Sequence, residues 1–245
     1  MERLDVALVN RGLASSRTRA RRLIEEGSVS VDGRVVTKAS HTLPDGSDLS
    51  LHHDGPTYVS RGAYKLLGAF EAFFPQGLTS PLGLRCLDIG ASTGGFTQVL
   101  LEHGASQVIA LDVGHGQLDP ALSGDPRITE LNHTNIRDVT AESLGFRPQF
   151  VVSDVSFISL TYVLPIIADI VTPGADCILL VKPQFEVGKG NLGKDGVVTD
   201  PQLRQEALTK VQNAARAVGM NIMGSTLSPI EGTHGNVEYL LWVRA

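Results

Sequence analysis

Two charged residues stand at the ends of apolar runs that have the length of buried strands. Asp154 closes the run Phe150–Asp154, and Lys182 closes the run Cys177–Lys182. Packing does not explain a lysine at the end of an apolar strand. Its amine can accept a proton when burial and a neighbouring cation lower its pKa well below the usual value of about 10.4, and an aspartate can orient that amine. Such a pair can remove the proton of a weakly acidic hydroxyl group.

A glycine-rich turn provides a second candidate site. Residues 88–96 read DIGASTGGF, a pattern in which a strand leads through a turn into a helix. Glycines let the backbone approach a ligand and direct N–H groups toward it. The spacing differs from the G-x-G-x-x-G pattern of dinucleotide sites, so a pyrophosphate ligand is not expected. Asp112 closes the following strand, where a carboxylate can bind both hydroxyls of a ribose.

The turn and Asp112 together resemble motif I and the ribose-binding acid of class I S-adenosylmethionine-dependent methyltransferases. This resemblance implies S-adenosylmethionine as the cofactor, and an uncharged turn suits it because it carries no phosphate. The residues expected to bind it are Asp88, Gly90, Ala91, Ser92, Thr93, Gly94, Gly95, Phe96, Asp112 and Val113.

Apolar runs alternate with helical patterns over most of the chain. The predicted strands are Leu84–Ile89, Val108–Val113, Phe150–Asp154, Cys177–Lys182 and the tail Gly235–Arg244. The predicted helices cover about 95–103, 160–171 and 201–218. This alternation predicts a parallel sheet with helices on both faces. Ligands bind at the carboxyl ends of such strands, which is where Asp154 and Lys182 are expected.

The first residues show a separate, smaller pattern. A short helix that begins near Leu4 stops at Gly12, a second helix covers about 16–26, and Asp32-Gly33 supplies the type I′ turn of a hairpin. Five arginines and no acid lie between Arg11 and Ile24. This arrangement resembles the S4 RNA-binding domain. The residues expected to contact RNA are Arg3, Arg17, Arg19, Arg21, Arg22 and, in the larger domain, Arg61.

Composition excludes several classes of protein. The chain has 245 residues, of which 42% are hydrophobic and 19% charged, so it is neither disordered nor fibrous. Two cysteines are too few for a disulfide framework. No signal peptide is visible, and the most apolar stretch, 160–171, is too short to cross a bilayer. We therefore expect a cytoplasmic protein with no membrane partner, whose net charge of −5 leaves the arginine cluster as a local basic patch.

These patterns divide the chain into a small domain at 1–54, a linker at 55–59 and a large domain at 60–245. His52 and His53 precede the linker, but no further ligand follows at metal-binding spacing, so no metal site is expected. The expected fold class is α/β, a Rossmann-like class I S-adenosylmethionine-dependent methyltransferase domain after a small α+β S4-like RNA-binding domain.

Methyl transfer to nitrogen, carbon and oxygen requires different residues. Amine methylation of bases often uses an Asn/Asp-Pro-Pro-aromatic motif, whereas residues 154–157 read DVSF. Methylation of cytosine at carbon 5 needs a cysteine nucleophile, but Cys86 and Cys177 lie inside predicted strands, where buried thiols are inert. Methyl transfer to an oxygen atom is therefore the remaining possibility.

Two further charged residues complete a recognisable set. Lys65 lies at the head of the first helix of the large domain, and Glu238 lies in the last predicted strand. Taken singly, each is more typical of an ordinary surface charge. The order Lys65, Asp154, Lys182, Glu238 resembles the catalytic tetrad of the FtsJ/RrmJ-like ribose 2′-O-methyltransferases.

An S4-like domain joined to this tetrad resembles the TlyA family over essentially the whole chain. The motifs that carry the resemblance are SRGA at 60–63, DIGASTGGFT at 88–97, SFISL at 156–160, VKPQFE at 181–186 and GNVEY at 235–239. The resemblance implies 2′-O-methylation of cytidine in ribosomal RNA. It also implies Lys182 as the base, Asp154 and Lys65 as the groups that organise it and the hydroxyl, and Glu238 as the support of Lys65.

The resemblance bears on the target as well. Longer family members modify both ribosomal subunits and carry short extensions, whereas this chain has little before Arg3 and stops at Ala245. We therefore expect 23S rRNA as the target, with 16S rRNA as the second candidate and no protein partner. Two alternatives stay open. One is a non-catalytic ribosome-binding factor, but the intact turn and tetrad argue against it. The other is a haemolysin, because some family members carry that name. A pore-forming protein needs a secretion route and a segment that can enter lipid, and neither is visible in the sequence.

Overall fold

A computed structural model describes residues 2–14, 17–25, 27–44, 46–51, 58–232 and 235–245, apart from the side chains of Thr18, Arg19, Arg22, Lys189 and Lys194. The chain forms two compact units, which divide between residues 57 and 58. The second unit thus begins two residues before the expected start of the large domain. His52, His53 and the linker residues 55–57 lie outside the described residues.

The described residues of the first unit form two helices and five short strands. They are β1 (Glu2–Arg3), α1 (Leu4–Asn10), α2 (Arg17–Glu25), β2 (Val29–Val31), β3 (Arg34–Val35), β4 (Thr42–Leu43) and β5 (Leu49–Leu51). The predicted helices and hairpin are present, and Asp32 and Gly33 both have positive φ, as a type I′ turn requires. Strands β1, β4 and β5 were not predicted. Leu4, Leu8 and Ile24 are fully buried in the core of this unit.

The second unit is built on a seven-stranded sheet. Its elements are α3 (Ala63–Phe73), β6 (Arg85–Ile89), α4 (Gly95–Glu102), β7 (Gln107–Leu111), β8 (Ile128–Leu131), α5 (Ala141–Leu144), β9 (Phe150–Ser153), α6 (Leu160–Ile170), β10 (Asp176–Val181), α7 (Pro201–Ala217), β11 (Asn221–Leu227) and β12 (Tyr239–Arg244). Short 3₁₀ turns occur at Phe74–Gln76, Ile136–Asp138, Pro183–Phe185, Lys189–Asn191 and Lys194–Gly196.

The strand order is β11-β12-β10-β9-β6-β7-β8, and the five strands from β10 to β8 are parallel. The prediction of a parallel sheet is therefore right for five strands. It does not extend to β12, which runs antiparallel to both β10 and β11. Strands β8 and β11 were not predicted.

Helices cover both faces of the sheet, as the alternation predicts. Strand residues point alternately to the two faces, so Leu87 packs with the core under α6 and α7 while Cys86 packs with the core under α3 and α4. Cys86 and Cys177 are both fully buried. Burial raises the pKa of the Cys86 thiol to about 12, so this thiol is not a nucleophile at neutral pH.

Strand direction brings the charged residues to one edge of the sheet. Asp112, Asp154 and Lys182 follow directly after β7, β9 and β10, whose carboxyl ends lie together. Because β12 runs in the opposite direction, its first residue pairs with Val181. The sequence places Glu238 inside the last predicted strand, but in the structure it directly precedes β12. Glu238 therefore reaches the same edge of the sheet.

Asp176 fixes the pairing of β10 with β12 at the other end of these strands. Its carboxylate accepts hydrogen bonds from Trp242 Nε1 at 2.7 Å, from Arg244 Nε at 2.8 Å and from the backbone N–H of Thr79 at 3.0 Å. The Arg244, Thr79 and Trp242 bonds hold the pKa of this buried carboxyl below its usual value, against the effect of burial. A one-residue slip of β12 would break the bonds from Trp242 and Arg244 and would turn the side chains of β12 to the opposite face.

None of the helices in the described ranges is both long and apolar enough to cross a membrane. Among the same residues, no group of three or more His, Cys, Asp or Glu side chains is arranged to hold a metal ion.

Candidate active site

The four charged residues of the predicted tetrad lie in contact with one another. Asp154 stands between the two lysines: Lys182 Nζ is 2.6 Å from Asp154 Oδ1, and Lys65 Nζ is 3.5 Å from Asp154 Oδ2. Lys65 Nζ also donates to Glu238 Oε2 at 2.7 Å. Lys65, Lys182 and Glu238 are buried, whereas the Asp154 side chain is 20% exposed. The set pairs two amines with two carboxyl groups in a site largely closed to water.

Close packing at the start of α3 positions Lys65. The lysine lies in the first turn of α3, and the segment before this helix rests on Gly95, the first residue of α4. A Cβ at Gly95 would overlap the Ser60 hydroxyl and lie 3.1 Å from the backbone N of Ala63. The absence of a side chain at Gly95 therefore lets the two helices meet and places the Lys65 amine at the tetrad.

The loop between β9 and α6 is held from two sides. On one side Lys182 Nζ donates to Ser156 Oγ at 2.9 Å. On the other, the buried Glu186 carboxylate accepts from Ser159 Oγ at 2.6 Å and from the backbone N–H of Leu160 at 2.8 Å, at the start of α6. Phe157, between these anchors, has a φ of 64° and is 92% exposed. A positive φ is strained for an aromatic residue, so the loop presents this ring to solvent at a cost in stability.

The glycine-rich turn lies beside the tetrad. Gly90 has a φ of 83°, and a Cβ there would lie 2.7 Å from the backbone oxygen of Asp154. The Asp112 carboxylate accepts one backbone N–H at each oxygen, from Ser92 and from Gly114, both at 2.8 Å. Each oxygen can accept a further hydrogen bond. Asp112 is thus fixed in orientation at the cleft and fits the two hydroxyls of a ribose.

Asp154 and the turn line one cleft with a volume of about 730 Å³, whereas Lys65, Lys182 and Glu238 lie behind Asp154 and do not line it. This volume is in the range of small-molecule and cofactor sites. Of the ten residues expected to bind the cofactor, four line the cleft: Gly90, Ser92, Asp112 and Val113. Six do not line it: Asp88, Ala91, Thr93, Gly94, Gly95 and Phe96. Their role in cofactor binding stays a prediction.

Asp88 is the most unusual of the residues behind the turn. It is fully buried at the end of β6, and one carboxylate oxygen accepts from Thr97 Oγ1 at 2.7 Å. Burial raises the pKa of the Asp88 carboxyl to about 7. The side chain therefore lies behind the turn and does not line the cleft.

Several cleft residues were not singled out from the sequence. They are Gln117, Asn135, Ile136, Arg137, Tyr162 and Phe185. Asn135 and Arg137 follow β8, and no strand was predicted there, so nothing in the pattern marked them. Phe185 lies in the quoted VKPQFE motif, and its ring is 5.2 Å from that of Phe157.

Family comparisons agree with this geometry. The FtsJ-like methyltransferase family matches residues 58–245, and the S4 domain matches residues 2–49. The chain is 49% identical to the 16S/23S rRNA (cytidine-2′-O)-methyltransferase TlyA of Mycobacterium tuberculosis, over 99% of this chain and 89% of that protein. The chain belongs to the TlyA family of FtsJ-like methyltransferases. This membership confirms the family resemblance, including its N-terminal S4 domain.

Solved structures resemble this TlyA family member at two levels. A protein from Streptococcus thermophilus, provisionally described as a hemolysin, is 37% identical and covers 99% of this chain with a TM-score of 0.78, the match spanning 88% of that protein. An S-adenosylmethionine-dependent methyltransferase from Mesorhizobium loti shares the fold alone, at 16% identity and a TM-score of 0.51 over 72% of this chain and 97% of its own. The predicted α/β methyltransferase fold is thereby confirmed.

The arginines that were expected to contact RNA occupy different settings in this TlyA family member. Arg3, Arg17 and Arg21 converge on the carboxylate of Asp5 in the S4 domain. The side chains of Arg19 and Arg22 lie outside the described part of the chain. Arg61 is an exposed residue of the second unit, two residues before α3. The structure thus groups three of the six predicted arginines around one acid.

Proposed function

We propose that this protein transfers the methyl group of S-adenosylmethionine to the ribose 2′-hydroxyl of a cytidine in ribosomal RNA, with 23S rRNA as the favoured target, in the cytoplasm. The observation that supports this function best is the Asp154 carboxylate, which lines the cleft and contacts two lysine amines. The name of the Mycobacterium tuberculosis relative supports the same reaction.

The cleft offers groups that fit the cofactor. Asp112 would bind the two ribose hydroxyls, and the turn from Gly90 to Ser92 would pack against the cofactor with its backbone. When bound, S-adenosylmethionine supplies a methyl group that is activated by a positively charged sulfur. The turn residues 88–96 include no cationic side chain that would repel this charge, and Asp154 is the tetrad residue that lines the cleft.

Lys182 would act as the base. Lys182 Nζ would accept the proton of the 2′-hydroxyl through its lone pair while the oxygen takes the methyl group, and the electron pair of the broken carbon–sulfur bond would stay on the departing sulfur. Asp154, 2.6 Å away, stabilises the ammonium ion that results. Ser156 Oγ accepts an N–H of the same amine at 2.9 Å, so the hydrogen bond to Ser156 and the ion-pair contact with Asp154 would together restrict the orientation of the amine.

Lys65 would hold the substrate oxygen and not its proton. Its amine lies between Asp154 and Glu238, which together position it beside the reacting group. Removal of Glu238 would leave a buried lysine with one distant partner, so its effect on activity would pass through Lys65. Exposed aromatic rings at the rim, Phe157 above all, offer a stacking surface to an unpaired base.

Methyl transfer from labelled S-adenosylmethionine to ribosomal subunits that lack the modification tests this function. We expect wild-type protein to label 23S rRNA and Lys182→Ala to lose at least about 100-fold in rate, the usual contribution of a general base. Arg216→Ala, which removes an exposed charge near the end of α7, serves as the control and keeps full activity.

Three results would change the proposal. Label in 16S as well as 23S rRNA would make both subunits targets. An undiminished rate in Lys182→Ala, with cofactor binding retained, would remove Lys182 as the base. Binding of subunits by the wild type without any label would favour a non-catalytic ribosome-binding factor.

A further inference from the structure

Asp5 lies at the centre of an arginine cluster in the first unit. The residue is in the first turn of α1, and its side chain is fully buried. Asp5 Oδ1 accepts from Arg3 Nε at 2.9 Å, and Oδ2 accepts from Arg3 Nη2 at 3.2 Å. Oδ2 also accepts from Arg17 Nη2 at 3.0 Å and from Arg21 Nε at 3.2 Å. One carboxylate therefore orients three guanidinium groups that come from β1 and from successive turns of α2.

The three arginines remain accessible although they share a buried partner. Their side chains are 46%, 55% and 53% exposed for Arg3, Arg17 and Arg21. Arg17 contacts Asp5 through Nη2 alone and Arg21 through Nε alone, and each guanidinium carries five N–H donors. The cluster can thus hold Asp5 and still donate to an anion from the solvent side, in the forked geometry that phosphate groups accept.

Charge alone gives no reason for an acid at this place. Asp5 lowers the formal charge of the cluster from +3 to +2, which weakens its attraction for a polyanion. The Arg3 guanidinium, with Arg17 and Arg21, holds the pKa of the Asp5 carboxyl well below its usual range, so the charge persists at any pH where RNA is stable. What Asp5 provides in return is a fixed orientation of the three arginine side chains.

We propose that Asp5 is a positioning residue that assembles Arg3, Arg17 and Arg21 into one binding site for the phosphate backbone of RNA. This inference rests on the proposed function, because it takes ribosomal RNA as the ligand of the S4 domain. Long arginine side chains lose conformational freedom when they bind, and a fixed cluster has already lost it. Asp5 acts through the arginines and does not touch the RNA.

Neutralisation of Asp5 separates the effect of orientation from the effect of charge, because the two effects change RNA affinity in opposite directions. Asp5→Asn raises the charge of the cluster from +2 to +3, so charge alone predicts tighter RNA binding. An amide, however, can accept at one oxygen only, and it cannot hold three guanidinium groups. If Asp5 positions the arginines, Asp5→Asn binds RNA more weakly although it is more positive.

The experiment measures the affinity of the full chain for an unmodified 23S rRNA transcript at several salt concentrations. Asp48→Asn is the matched control, because it removes the same charge from an exposed acid of the same unit. We expect Asp5→Asn to lose about tenfold in affinity with a shallower salt dependence, as fewer phosphates are engaged. Asp48→Asn should bind as tightly as the wild type or more tightly. Circular dichroism and cofactor binding establish that each variant is folded.

Equal or tighter binding by folded Asp5→Asn would overturn the proposal. If Asp5→Asn does not fold, Arg17→Lys combined with Arg21→Lys takes its place, since these changes keep the charge and remove the fork. Weaker binding by that variant supports the proposal, and unchanged binding overturns it. Failure of the proposed function has a different signature, in which the wild type binds the transcript and assembled subunits yet methylates neither.

Discussion

At the scale of single residues, Asp88 shows how the cofactor turn is maintained at a cost in stability. It is fully buried, and no described residue donates to its second carboxylate oxygen, Oδ1. Burial of a charged group whose described hydrogen-bond donors come only from Thr97 is unfavourable, and this burial raises the pKa of Asp88 to about 7. A residue that costs stability beneath a binding turn is expected to contribute to binding.

Asp88→Asn tests this cost through its pH dependence. The folded state holds a proton on Asp88 up to about pH 7, whereas an unfolded aspartate with its usual pKa of 3.8 has released it. The folded state therefore binds more protons between these values, and the free energy of unfolding falls as pH rises through that window. We expect Asp88→Asn to be about 2 kcal/mol more stable than the wild type at pH 8 and to show a smaller gain at pH 5. This value already subtracts the cost of burying an amide that is incompletely hydrogen-bonded.

Thermal melting at the two pH values measures this difference. Asp169→Asn, a change of the same kind at an exposed position of α6, provides the control and should shift neither melting temperature. Cofactor affinity, measured on the same samples, should fall in Asp88→Asn. A variant that is less stable than the wild type at pH 8 would show that the carboxylate is favourable where it lies.

At the scale of elements, the meeting of α3 and α4 controls where Lys65 lies. Gly95→Ala would push its new methyl group against Ser60 and the backbone of Ala63, both of which belong to the segment that starts α3. We expect methyl transfer to fall at least about tenfold and stability to fall by about 1–3 kcal/mol, as overpacking does. Steady-state rates and denaturant unfolding measure the two effects.

Gly190→Ala is the matched control for Gly95→Ala. A Cβ at Gly190 would meet no atom within 4 Å, so the same added methyl should change neither rate nor stability. Combining Gly95→Ala with Ser60→Ala removes the hydroxyl that the methyl meets, and part of the lost activity should return. Unchanged activity in Gly95→Ala alone would mean that α3 can shift without moving Lys65 from the tetrad.

The elements that could be predicted are those with a buried apolar run. Strands β6, β7, β9 and β10 are covered on both faces, so most of their residues are apolar and the strands stand out in the sequence. Strand β8 reads Ile-Thr-Glu-Leu with its two middle residues exposed, and β11 alternates between exposed and partly exposed residues. Both are edge strands, and an edge strand with a solvated face carries a weaker apolar signal.

The candidate site was predictable to the extent that it follows from strand ends. Asp112, Asp154 and Lys182 each follow a parallel strand, so their common edge could be anticipated. The contact of Lys65 with Glu238 could not, because it depends on the reversal of β12 and on the approach of α3. The expectation that Glu238 supports Lys65 came from the family resemblance and not from the predicted elements.

At the scale of the whole molecule, each unit has a hydrophobic core of its own. Leu4, Leu8 and Ile24 belong to the core of the first unit, whereas the second unit has separate cores on the two faces of its sheet. Tetrad, turn and cleft all lie in residues 58–245, and the Asp5 cluster lies in the first unit. Chemistry and the proposed RNA binding are therefore divided between units that each bury their own core.

This division predicts what residues 58–245 do alone. The fragment retains both cores of the second unit and every residue that lines the cleft, so we expect it to bind S-adenosylmethionine as tightly as the full chain. Its methyl transfer should be slow at low rRNA concentration and recover toward the full-length rate as rRNA is raised, since the S4 domain contributes phosphate contacts and not reacting groups. A titration of unmodified 23S rRNA with each protein separates KM from kcat.

The full chain with Arg17→Gln and Arg21→Gln is the comparison for this fragment, because it loses two of the clustered guanidinium groups and keeps the first unit. If the S4 domain acts through its arginines, this variant should raise KM by a smaller factor than the fragment and leave kcat close to that of the wild type. A fragment that binds the cofactor normally but stays inactive at saturating rRNA would show that the first unit also orients the target nucleotide. Loss of cofactor binding would instead mean that the cleft between Gly90 and Asp112 needs the first unit to take its shape.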